Sequence, residues 1–310
     1  MAKLIDGTKI AAEIRAEIAL EVKALAKRKI VPGLAVVLVG EDPASQVYVR
    51  MKKRACADLG IVSFDYDLAK TCSERRLLNL IDKLNADPKV HGILVQLPLP
   101  KQISEAKVLN TISPEKDVDG FHPINVGKLL NGEESFVPCT PRGCQELLLR
   151  SGYDPAGKHV VILGRSKTVG KPMAAILMQK APGANATVTV CHSRTKNLAK
   201  ITREADILIA AIGSPEFVKS RMVKEGVVVI DVGTNRVEDK TKKSGYRLVG
   251  DVDFKNVSKK ARAISPVPGG VGPMTITMLL RNTLESAKRH AARKRRPTKK
   301  RQRLVVKASR

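Results

Sequence analysis

The chain has 310 residues, with 56 Lys and Arg against 30 Asp and Glu for a formal net charge of +26, and 43% hydrophobic but only 3% aromatic residues. An aliphatic core of that kind favours α/β layers, and the length suits two domains better than one small core. The composition excludes a disulfide scaffold, a metal centre and a membrane anchor: the five cysteines form no CxxC pair, the five histidines form no HExxH or Cys/His cluster, and no apolar run or signal-peptide core is long enough. A soluble cytoplasmic protein without metal is expected.

Residues 7 to 28 alternate apolar and charged positions at helical spacing, and Pro32-Gly33 ends that run before the buried-strand pattern LAVVLVG. A helix over about 44 to 60, the strand VSFDYDLA, a helix over about 73 to 86 and the strand HGILVQLPLP follow. Residues 113 to 142 are dense in turn residues and mark a domain junction. A second alternation then runs through HVVILG, TVTVCHS, ADILIAAIG and GVVVIDVG, with helical segments between. The expected architecture is α/β, two parallel-sheet domains flanking a cleft, the second Rossmann-like.

The segment SPVPGGVGPMT, residues 265 to 275, sets the fixed φ of three prolines among three permissive glycines and carries no charge. It reads either as a tight structural turn or as backbone shaped to approach a flat ligand, with Gly272-Pro273 as N-cap and first residue of a closing helix over 273 to about 290. The expected domains are 1–120 plus 273–290, and 121–272, with a basic tail over 291–310. After Glu285 the chain has twelve Lys and Arg and no acid, nearly half of the charge excess. Such a tail gains from nonspecific contact with polyanions by counterion release, yet it has no aromatics interleaved for base stacking, which favours a solvated tail without a dedicated partner.

VVILGRSKTVGKP places Gly164 at a strand end and Gly170 six residues later, before a helix. Strand, tight turn and helix N-terminus make a phosphate site, although Ser166 stands where the second glycine of GxGxxG would be. The next strand ends in Ser193 and Arg194 rather than an acid, and with Arg165 these suit a 2′-phosphate, which favours NADP over NAD. In the first half, Val47, Met51, Ala55 and Leu59 form an apolar stripe expected to be buried in the core, and Tyr48 and Lys52 lie at its border. Burial and the like charges of Arg50, Lys53 and Arg54 would lower the Lys52 pKa, as proton transfer requires, while a snorkelling lysine beside a packed tyrosine is the bland alternative. Gln96 interrupts an apolar strand and needs partners. Asp117 and Asp119 precede a glycine turn, where each is either a turn residue or a carboxylate facing the crevice.

YVRMKKRAC, GILVQLPLP, EKDVDGFHPINVGKL, PCTPRG, GRSKTVGKP, CHSRT, VIDVGTNRV, GDVDF and SPVPGGVGPMT together resemble the bifunctional methylenetetrahydrofolate dehydrogenase/methenyltetrahydrofolate cyclohydrolase family over roughly residues 2 to 288. The resemblance implies NADP-dependent oxidation of 5,10-methylenetetrahydrofolate and hydrolysis of the product to 10-formyltetrahydrofolate, a one-carbon step serving purine and amino-acid biosynthesis, in a homodimer. It assigns catalysis to Lys52 with Tyr48 and Gln96, and the folate to Tyr48, Gln96, Asp119 and the run Pro268, Gly269, Gly270 and Val271. NADP would meet Gly164, Arg165, Ser166, Gly170, Ser193, Arg194 and Thr234. Thr234 departs from the apolar branched residue common there, QKAPGANATVTV is longer than usual, and the basic tail is not a family feature. An NADP-linked dehydrogenase resembling shikimate dehydrogenase, or a nonenzymatic anion- or nucleic-acid-binding protein led by its tail, is the competing reading.

Overall fold

The computed structural model describes residues 2–242 and 245–295. The chain opens with β1 (Lys3–Leu4) and α1 (Gly7–Ala26), then alternates through β2 (Gly33–Val39), α2 (Pro43–Leu59), β3 (Val62–Leu68), α3 (Glu74–Ala86) and β4 (Gly92–Val95). Short side-chain acceptors start the helices: Asp6 accepts from Lys9 N at 3.0 Å, Asp42 from Ser45 N at 2.8 Å and Ser73 from Arg76 N at 3.3 Å. The strands pair in parallel in the order β3-β2-β4. The central strand β2 is buried throughout, which is why its run GLAVVLV is apolar without alternation.

The turn-dense stretch holds more regular structure than its composition suggests. After α4 (Glu105–Thr111) come α5 (Pro123–Asn131) and α6 (Cys139–Arg150). Its prolines and glycines are helix punctuation: Pro123 occupies the first turn of α5 behind the His122 cap, and Gly132 (φ 74°) ends it.

The second alternation comprises β5 (His159–Leu163), α7 (Gly170–Leu177), β6 (Thr187–Cys191), α8 (Leu198–Arg203), β7 (Ile207–Ala210) and β8 (Val228–Asp231). An antiparallel pair, β9 (Asn235–Glu238) and β10 (Tyr246–Val249), then precedes α9 (Phe254–Val257), β11 (Ala263–Ile264) and the long α10 (Val271–Arg295). The large sheet is parallel in the order β1-β11-β8-β7-β5-β6. From β5 the chain steps out to β6 and then crosses back to β7, so the strand order reverses at the carboxyl ends of β5 and β7, where α/β sheets bind ligands.

The first residues of the chain therefore belong to the edge of the large sheet, and α10 ties the two sheets together. It packs on α1 and α6, and one apolar cluster runs from Leu34 and Val36 of β2 through Leu279 and Leu280 of α10 to Val160 and Ile162 of β5. The helix starts at Val271, two residues before the expected Pro273, because the Gly269-Gly270 turn is already docked on α1. Thr8 N donates to Gly269 O at 3.0 Å, and a Cβ on Gly7 would overlap the Gly270 carbonyl. Residues 291–295, expected as the start of the tail, are the last turns of α10, and 296–310 lie outside the described residues.

Candidate active site

Helix α2 is the side-chain wall of the cleft. Val47, Tyr48 and Met51 are 43%, 38% and 49% exposed, and they line a cavity of about 600 Å³. The stripe expected to be core is thus core only in its second half, at Ala55 and Leu59, because the first half of α2 overhangs the cleft. Lys52 is buried at 8% exposure, and its Nζ donates to Gln96 Oε1 at 3.0 Å. Gln96 follows the last residue of β4. Its backbone N–H is held by Val37 O at 2.8 Å and its Nε2 by Leu97 O at 2.8 Å, so the amide oxygen is left to face the lysine.

Burial pushes the Lys52 pKa down, and Asp119, then the Cys139 and Cys56 thiols, pull it back up. The expected like-charge contribution is not among the causes: Arg50 is exposed, and Lys53 turns towards Asp65 and Asp67 at 3.5 and 3.9 Å. Burial pushes the Asp119 carboxyl up, against the opposing attraction of Lys52. Desolvation therefore brings the neutral forms of a lysine and a carboxyl group closer to reach in one place. The neighbouring Asp117 does different work. It accepts from Phe121 N at 3.3 Å, His122 N at 2.8 Å and Asn125 Nδ2 at 2.8 Å, and so shapes the turn that presents Asp119.

Lys52, Gln96 and Asp119 line a second cavity of about 350 Å³. It shares Tyr48, Val232, Thr234, Val271 and Gly272 with the larger one, so the two are compartments of one cleft. Pro268, Gly269 (φ 99°), Gly270 and Val271 form the far wall of the larger compartment, opposite Tyr48. Cys139 and Phe121 also line the smaller one, and Cys139 Sγ donates to Asp119 Oδ1 at 3.7 Å. Both lie in motifs noted in the sequence, but a lone cysteine and a lone phenylalanine gave no signal of a site.

The nucleotide side is built from main chain. Gly164 sits at φ 116°, and a Cβ on it would overlap the Ala211 carbonyl that follows β7; a Cβ on Gly170 would overlap the Gly164 carbonyl. The turn between β5 and α7 is closed by Ser166, whose Oγ accepts from Val169 N at 3.0 Å and Gly170 N at 3.4 Å. That bond starts α7 at Gly170, ahead of Pro172, and explains why serine stands at the second-glycine position. Gly164 N donates to Cys191 O at 2.9 Å, so Arg165 lies on a turn beside the one that carries Ser193 and Arg194. All three are exposed, and neither arginine is in an ion pair among the described residues. Thr234, after β8, lines both compartments. Among the described residues no group of three His, Cys, Asp or Glu is arranged to hold a metal ion, and no helix is long and apolar enough to cross a membrane.

A glycine turn at the switch point of a parallel sheet, facing a buried lysine across a cleft, defines a two-sheet nucleotide-dependent oxidoreductase fold. Residues 5–119 match the family model for the tetrahydrofolate dehydrogenase/cyclohydrolase catalytic domain, and residues 138–291 match that for its NAD(P)-binding domain. The chain belongs to the tetrahydrofolate dehydrogenase/cyclohydrolase family. The bifunctional protein FolD of Dehalococcoides mccartyi is 62% identical over 291 residues, 94% of this chain and 98% of that protein. Among solved structures, the bifunctional FolD of Campylobacter jejuni is 51% identical with a TM-score of 0.88, covering 93% of this chain and 99% of that one. The Trypanosoma brucei enzyme, solved with NADP cofactor and inhibitor, is 43% identical with a TM-score of 0.88, over 94% of this chain and 98% of that one. Identity at this level over 93–94% of the chain sets aside the shikimate dehydrogenase-like and tail-led readings as the main function.

Proposed function

We propose that this chain oxidises 5,10-methylenetetrahydrofolate with NADP and hydrolyses the resulting methenyl compound to 10-formyltetrahydrofolate in the single cleft between α2 and the large sheet. The observation that carries the reading is the buried Lys52–Gln96 hydrogen bond, beside Asp119, in a cleft whose other wall continues to the Gly164 turn. NADP supplies the hydride acceptor, and Gly164, Ser166 and Gly170 fit its phosphates, with Arg165, Ser193 and Arg194 suited to the 2′-phosphate and Thr234 to the nicotinamide end. The two folate nitrogens flanking the one-carbon bridge share the positive charge of the oxidised carbon, so the first step asks mainly for positioning.

Asp119 receives the N–H donors of the pterin ring, and Tyr48 faces the loop Pro268–Val271 across the folate. In the hydrolytic step Lys52 takes a proton from the attacking water and returns one to the departing nitrogen as the ring opens. Gln96 holds the ammonium or amine in line through its oriented oxygen. The folate side corresponds to 1–120 with 273–290, except that Lys3–Leu4 pair into the large sheet, and the NADP side to 121–272, which lends Pro268–Val271 to the folate-facing wall. A cytoplasmic homodimer serving purine and amino-acid biosynthesis, with no more than weak polyanion contact by the tail, completes the reading. Methylenetetrahydrofolate supplied with NADP or NAD, with reduced nucleotide and methenyl product followed by absorbance, tests it: turnover with preference for NADP is expected, and no turnover with either nucleotide overturns it.

A further inference from the structure

Asp251 is 0% exposed and lies between β10 and α9, beyond both cavities, yet it gathers main-chain amides from the loop after β7 and the side-chain amide of Asn235 at the start of β9. Its Oδ2 accepts from Ile212 N at 2.7 Å and Gly213 N at 3.0 Å, and its Oδ1 accepts from Ser214 N at 2.9 Å and Asn235 Nδ2 at 2.9 Å. Three successive amides of the loop after β7 thus point inward at one side chain. The loop's first residue is Ala211, whose carbonyl is in contact distance of the Gly164 turn, so Asp251 sets the position of the wall facing that turn at the switch point. Through Asn235 the same carboxyl group reaches the residue next to Thr234. The space is closed around it: a Cβ on Gly233 would overlap Asp251.

From this geometry we infer that Asp251 is a positioning residue for NADP, fixing the loop 211–214 against the Gly164 turn and coupling it to the Thr234 wall. The inference rests on NADP lying across the Gly164 turn, as proposed above. A carboxyl group serves here because all four groups facing it are donors. Asn in its place turns an NH₂ towards one of those N–H groups, leaving buried donors unsatisfied and the loop free to move. Lys52, Gln96 and Asp119 make no contact with Asp251, so the hydrolytic step, which needs no nucleotide, reports separately.

The experiment compares wild type and Asp251→Asn by calorimetric titration with NADP and by hydrolysis of methenyltetrahydrofolate without nucleotide. NADP affinity is expected to fall on the order of tenfold or more, from the loss of a buried hydrogen bond to a charged group, with hydrolysis within about twofold of wild type. Unchanged NADP affinity, or parallel loss of binding and hydrolysis, overturns the inference. Should Asp251→Asn fail to fold, Asn235→Ala removes one of the four donors. It should weaken NADP by about threefold with hydrolysis retained, and unchanged affinity there overturns the inference as well. Wild type that hydrolyses the folate but does not bind NADP would instead sink the assignment of the nucleotide site.

Discussion

The two walls of the cleft are made of different material. On the α2 side the chemistry sits in side chains carried by regular elements: Lys52 projects from a helix, Gln96 follows a strand, and Asp119 is presented by a turn that Asp117 organises. On the large-sheet side the shape comes from main-chain carbonyl groups brought so close that Gly164 and Gly170 admit no Cβ. A side-chain wall fails by losing a functional group while its fold survives. A main-chain wall fails by gaining a methyl group, and its fold suffers with its function.

Substitutions can break that contrast. The largest expected effect is that of Lys52→Ala, which should lower the hydrolytic rate by about 10²–10⁴-fold, as loss of a general acid–base does, with only a small change in unfolding midpoint. Lys52→Arg should not restore it, because a guanidinium stays protonated; recovery of hydrolysis, read from methenyl absorbance, would remove proton transfer from the role of Lys52. Next, Gly164→Ala should cost a few kcal/mol in urea unfolding and weaken NADP binding together, from the clash with Ala211 and the left-handed φ. Normal stability would show that the main-chain wall is softer than its geometry implies. Arg194→Ala should then reduce the preference for NADP over NAD by about tenfold, the value of one charged hydrogen bond, measured as the ratio of the two affinities.

The smallest effect concerns Asp231, which lines the larger compartment. Burial raises its carboxyl to about 7, against backbone hydrogen bonds that lower it. Because the unfolded value is about 4, the folded state binds the extra proton between the two. The resulting stabilisation is full below pH about 4 and is lost as pH rises through about 7. The unfolding midpoint should fall across that window by a few degrees, and Asp231→Asn should flatten the profile. An unchanged slope in the variant would assign the pH dependence elsewhere.

The same contrast governs what could be read from the sequence. The βα alternation was plain because buried parallel strands must be continuous apolar runs, as GLAVVLV and HVVIL are. Helical spacing located Lys52 at the border of a face, but spacing alone cannot separate a core face from a cleft face, so Val47 and Met51 were read as core. Nor could it show that Lys53 turns away to Asp65 and Asp67. Strands of two residues, β1 and β11, leave no periodicity to detect. The prolines and glycines near residue 130 read as loop because caps and turns use the same residues. Asp251 carried the weakest signal, since its partners are amides whose positions depend on the fold.

The strand β1 has a mechanical consequence. Lys3 and Leu4 pair with Ala263 and Ile264 at the edge of the large sheet, and the chain then passes at once into α1. The entering segment and the returning segment before α10 thus run side by side, fastened where Thr8 meets Gly269. They act as a double strap at one end of the cleft. The Pro268–Val271 wall is therefore held from two chain segments at once, through the β1–β11 pairing and the Thr8–Gly269 hydrogen bond.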